Sequence, residues 1–137
     1  MKTANYYIFG EIWSLLERLQ FIKGIQFEQY DLANPPDVTI IIEQCIQPYY
    51  DMASEANKSL IRATFEYYMT TRASPFQELR DSAHDLMLVD DGASDEFLDT
   101  VGRALFGDQY LNNIDIRGYL EVLDTRAARC VFDGSNR

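Results

Sequence analysis

The sequence predicts an all-α fold, a single-domain bundle of five or six amphipathic helices. Three observations carry this. Apolar residues recur at steps of three and four along nearly the whole chain. The breaks between these stripes are short and hold Pro, Gly, Ser or Asp. The length, 137 residues, fits one domain of ordinary size, which we place over residues 1–132 with a fraying tail over 133–137.

Ile8, Ile12, Leu15, Leu16 and Leu19 form the first stripe, widened by Phe9 and Trp13. Lys23-Gly24 supplies its stop: a cation in the last turn, then a glycine able to turn left-handed. Residues 25–32 alternate and then lose the pattern, so residues 25–42 are the place where a small sheet would interrupt the helices.

Asn34-Pro35-Pro36-Asp37 opens a second helix, with Val38, Ile41, Ile42, Cys45 and Ile46 on one face. Its β-branched run also suits a strand, but the helical period persists to Ile46, beyond usual strand length. Pro48 should end or kink it. Ser54 can cap a third helix bearing Leu60, Ile61, Thr64, Phe65, Tyr68 and Met69.

Ser74-Pro75-Phe76-Gln77 places a cap, a first-turn proline and a back-reaching glutamine before the stripe Phe76, Leu79, Ala83, Leu86 and Met87. Asp90-Asp91-Gly92 breaks that helix. Ser94-Asp95-Glu96 opens the next, with Leu98, Val101 and Leu105 inward and Gly107 as its stop. Asp115 then caps a final helix with Ile116, Tyr119, Leu120, Leu123 and Ala127 inward.

Composition narrows the function. Apolar residues make up 47% and charged residues 25%, the balance of a globular chain. The net charge of −10 repels a phosphate backbone, so no direct nucleic-acid ligand is expected. No apolar run reaches the ~20 residues of a membrane span, so no membrane association is expected. Glu11 falls too early for a signal-peptide core, and a cytoplasmic location is expected.

Chemistry-bearing motifs are sparse. His84 is the single histidine, and Cys45 and Cys130 lie 85 positions apart with no CxxC pairing. Cys45 sits on a strongly apolar face, where burial keeps a thiol protonated and inert. Asp81 and His84 form half of a metal-bundle pair without the other half. The acidic run 90–96 lacks the ligand alternation of a calcium loop. Phosphate-loop, dinucleotide and common hydrolase signatures are absent. The expectation is a protein that is not an enzyme, with no catalytic, cofactor or metal residues. Adjacent tyrosines (Tyr6-Tyr7, Tyr49-Tyr50, Tyr67-Tyr68) fit either core filling or a contact surface.

Charge is distributed unevenly. Residues 74–112 hold Arg80 and Arg103 against Glu78, Asp81, Asp85, Asp90, Asp91, Asp95, Glu96, Asp99 and Asp108, net −7 of the total −10. On a helical wheel Glu78, Asp81 and Asp85 lie within about 60° of one another, away from the apolar stripe. Asp95 and Glu96 also suit a helix N-terminus, where the dipole favours acids. Yet Asp81/Asp85 and Asp95/Asp99 are like-charge i, i+4 pairs, each costing a few tenths of a kcal/mol, roughly, when nothing compensates them.

This points to an acidic protein-binding inhibitor that occludes the basic active or nucleic-acid-binding cleft of a toxin or nuclease-like partner. Glu78, Asp81, Asp85, Asp90, Asp91, Asp95, Glu96 and Asp99 would make the contact. In size and charge alone the chain is similar to immunity proteins against bacterial toxins. The alternative is a helical adaptor or chaperone-like regulator that binds an amphipathic segment through an apolar groove.

Overall fold

The computed structural model describes residues 1–5, 7–24, 34–71, 94–128 and 131–132. Most of these are helical, and a small two-stranded parallel sheet joins the helices. Strand β1 (Lys2–Ala4) leads into α1 (Tyr7–Ile22). Then come α2 (Pro35–Ile41), a wide π turn (Ile42–Ile46) and α3 (Gln47–Asp51). The long α4 (Glu55–Thr71) and α5 (Ser94–Phe106) follow. A 3₁₀ turn (Ile116–Gly118), β2 (Tyr119–Glu121) and the short α6 (Thr125–Ala128) complete the order.

The expected stripes of α1 and α4 bury as a set. Ile8, Phe9, Ile12, Leu15, Leu16 and Leu19 meet Ile61, Phe65, Tyr68 and Met69, joined by Phe97, Leu98 and Val101 of α5. The centre is aromatic: Phe9 meets Phe65 edge-on at 5.1 Å and Tyr68 at 5.7 Å, and Phe65 meets Phe106 at 5.6 Å. Edge-to-face contacts suit the ring quadrupole, and they hold α1, α4 and α5 together.

Local signals set the helix ends. Gly24 has φ +67° and Gly107 φ +95°, and both follow a helix at the positions expected to stop it. An L side chain at such a φ is strained, whereas glycine is not. Asn5, buried and without an expected role, begins α1. Its carbonyl accepts from Ile8 N–H at 3.0 Å and its Oδ1 accepts from Tyr7 N–H at 3.2 Å.

Pro48 acts on the second helical stretch as expected. A proline in α-helix lacks an N–H and its ring crowds the carbonyl four residues earlier. Here the backbone widens into the π turn just before it, and Pro48 enters the first turn of α3, where no N–H partner is needed.

Of the stretch 25–42, expected to hold any small sheet, residues 25–33 lie outside the described residues and Pro35–Ile41 is helical. Among the described residues a sheet forms elsewhere, where β1 pairs β2, with Lys2 opposite Tyr119 and Ala4 opposite Glu121. One expectation is corrected: the final helix from Asp115 is replaced. Asp115 does accept the Arg117 N–H at 3.0 Å, but it caps one 3₁₀ turn, after which the chain extends into β2. Ile116, Leu120 and Leu123, expected inward, are exposed. The physical reason is non-local: Tyr119 and Glu121 are drawn to partners on α4. The fourth expected helix, from Ser74, and the 133–137 tail lie outside the described residues.

Candidate functional site

The acidic residues singled out from the sequence are only partly described. Glu78, Asp81, Asp85, Asp90 and Asp91 lie outside the described residues, as do His84 and Cys130. Asp95 and Glu96 occupy the first turn of α5, with their side chains outside the described part. Asp99 is described, and it is paired: Arg103 Nε donates to its Oδ2 at 3.0 Å, and Arg103 Nη1 donates to the Asp108 carbonyl at 2.7 Å. The carboxylate raises the Arg103 pKa further, chiefly through that hydrogen bond. One oxygen of Asp99 is thus answered within its own helix, while Oδ1 is buried with no hydrogen-bond partner among the described residues.

Polar groups converge elsewhere, around Glu66 of α4. Glu66 on α4 is 3% exposed. Its Oε1 accepts from Tyr119 Oη at 2.6 Å and from Lys2 Nζ at 3.3 Å, and its Oε2 accepts from Arg62 Nε at 3.1 Å. A buried carboxylate is tolerable only when charge and hydrogen bonds answer it, and these three donors do so. Burial first, then the bond and charge of Glu66, raise the Tyr119 pKa, so the phenol holds its proton. Beside this, Tyr68 Oη donates to a carboxylate oxygen of Glu121. The two bonds pull β2 onto α4 and account for the strand.

A groove opens next to Glu66, with a volume of about 610 Å³. Met1, Lys2 and Thr3 form one wall. The other is a stripe of α4 carrying Ala56, Ser59, Leu60 and Ala63, with Arg62 and Glu66 at its end. That size lies within the range of ligand sites. Its charge is opposite to that of the molecule. Two cations share one carboxylate, and both remain half-exposed or more: Lys2 side chain 62%, Arg62 side chain 51%.

The one local hint was Arg62 four residues before Glu66, a helix-surface ion-pair spacing. The contributions of Lys2 and Tyr119 depend on the parallel register, which no local pattern announces.

Cys45 is buried among the apolar residues of its helical stretch, and burial raises its thiol pKa while Lys23 opposes this weakly. Among the tyrosine pairs, Tyr68 is buried, and Tyr7, Tyr49, Tyr50 and Tyr67 are half-buried against the core. Among the described residues, no three His, Cys, Asp or Glu side chains gather as a metal site would need. Nor is any described helix long and apolar enough to cross a membrane.

Compared with protein-family models, with curated proteins and with solved structures, the chain matches none of them.

Proposed function

We propose that this chain is a non-catalytic binding protein of the immunity type, whose acidic stretch occludes the basic active or nucleic-acid-binding cleft of a toxin or nuclease-like partner. One observation carries the reading: seven of ten excess negative charges fall within residues 74–112. The packing of α5 is compatible with it. Phe97, Leu98 and Val101 are buried, and helical positions 96 and 99 lie across the axis from them, Asp99 being half-buried there. Because Arg103 already holds Asp99, recognition rests on Glu78, Asp81, Asp85, Asp90, Asp91, Asp95 and Glu96. Such a surface steers a cationic partner to encounter and works by steric exclusion, with no bond made or broken.

The test is a triple reversal, Asp85→Lys, Asp91→Lys and Asp95→Lys, measured against the basic protein that co-purifies at low salt. The reversal should slow association by about tenfold or more at low ionic strength and flatten its salt dependence. Unchanged low-salt kinetics would show that the acidic stretch takes no part. The adaptor alternative predicts binding that persists at high salt.

A further inference from the structure

The groove beside Glu66 has a feature that a merely structural ion cluster does not need, which is an open strand edge. Val122 N–H donates to the Ala4 carbonyl at 2.8 Å, and Lys2 and Ala4 stand opposite Tyr119 and Glu121. In a parallel ladder alternate residues turn both backbone groups to the same side. Lys2 and Ala4 therefore point theirs to β2, and Thr3 points its N–H and C=O to the other edge. At that edge the next such donor, Asn5 N–H, is taken by Thr64 Oγ1 of α4 at 3.1 Å. The helix closes the edge at Asn5, and among the described residues nothing takes the N–H or C=O of Thr3.

The groove follows this edge. Successive strand side chains alternate between faces, so a cavity touched by Met1, Lys2 and Thr3 alike runs alongside the strand and not over one face. Small side chains, Ala56, Ser59 and Ala63, keep the opposite wall low. A strand edge facing such a wall admits an extended chain.

Charge selects which chain. Glu66 spends both oxygens on Lys2, Arg62 and Tyr119, so it offers an incoming group little repulsion or competition. Arg62 uses only Nε on Glu66, and among the described residues its two terminal nitrogens have no hydrogen-bond acceptor. Lys2 Nζ gives one hydrogen bond to Glu66 and has no other acceptor among the described residues.

We infer that this groove binds an extended acidic segment of a partner protein, added as a strand along β1 with a carboxylate held between Arg62 and Lys2. The surface has the opposite sign to the 74–112 stretch and does not rest on the function proposed for it.

The test uses a fluorescein-labelled peptide of alternating valine and aspartate, VDVDV, followed by anisotropy with the full chain. Saturable binding is expected, about tenfold weaker for VNVNV, which keeps the shape and removes the charge. Lys2→Gln and Arg62→Gln should each weaken VDVDV several-fold, roughly, and leave VNVNV little changed. Thr3→Pro removes the outward N–H and spares the β1–β2 ladder, so it should weaken both peptides. Thermal melts of each variant check the fold. If Thr3→Pro does not fold, the charge comparison decides alone.

Absence of saturable VDVDV binding, equal binding of the two peptides, or indifference to a folded Thr3→Pro would overturn the inference. So would a mass by light scattering that falls from dimer to monomer in Arg62→Gln, since the occupant would then be a second copy. The Asp85, Asp91 and Asp95 reversals should leave VDVDV binding intact, which separates this result from the acidic-stretch experiment.

Discussion

At the scale of single residues, Glu66 holds together three parts of the chain that are distant in sequence. Removing its carboxylate leaves Tyr119 Oη without its acceptor and takes the counter-charge from Lys2 and Arg62. Lys2 and Arg62 are exposed enough to rehydrate, which moderates the loss. Glu66→Ala should therefore cost about 2–3 kcal/mol, read as a lower urea midpoint, with Glu66→Gln costing less. Tyr119 gives the pH dependence. Its pKa is raised in the fold, so the folded phenol stays protonated where an unfolded one, with a pKa of about 10, ionises. The unfolded state then binds fewer protons, and stability falls as pH rises above about 10. Cys45, also raised, adds the same sign from about pH 8.5 upward. Melting temperature should decline between pH 8 and 11, and Tyr119→Phe should flatten the upper part of that decline while lowering stability at neutral pH.

At the scale of elements, the contact between α4 and α5 depends on a missing side chain. A Cβ built at Gly102 would lie 2.7 Å from Tyr110 Cζ and 3.0 Å from Phe65 Cδ1, and closer still to the Tyr110 hydroxyl. Gly102→Ala should cost about 1–3 kcal/mol by overpacking, checked by denaturant melts. At Gly24 a Cβ would meet nothing within 4 Å among the described residues, and what glycine supplies there is the left-handed φ of +67°. That difference shows what a sequence discloses. The stops at Gly24 and Gly107 were legible because they are local backbone requirements. So were the stripes of α1 and α4, since each is a single helical face. The extension at Tyr119–Glu121 was not legible. The spacing Ile116, Tyr119, Leu120, Leu123 satisfies a helix, yet Leu120 and Leu123 end 53% and 57% exposed. What decides the conformation there is a pair of bonds to Glu66 and Tyr68, more than fifty positions away. The groove shares that origin, and was illegible for the same reason.

For the whole molecule, charge is the dominant global property. A net charge of −10 on 137 residues repels itself in the compact state. Exposed like charges are screened beyond a Debye length of roughly 10 Å at 0.1 M salt, whereas the buried Glu66 cluster is screened much less. Raising sodium chloride from low levels to about 0.2 M should thus raise the melting temperature and not lower it, as differential scanning calorimetry would show. A lower melting temperature would mean that attractive surface pairs outweigh the repulsion. The asymmetry of 74–112 was plain from composition, and reversing Asp85, Asp91 and Asp95 reads its part in association directly.

The parallel pairing of Lys2–Ala4 with Tyr119–Glu121 also bears on biosynthesis. The first strand leaves the ribosome long before its mate exists. A nascent chain stalled before Tyr119 would leave the backbone groups that Lys2 and Ala4 turn toward β2 without their partners, a target for chaperones and a point of vulnerability to proteases.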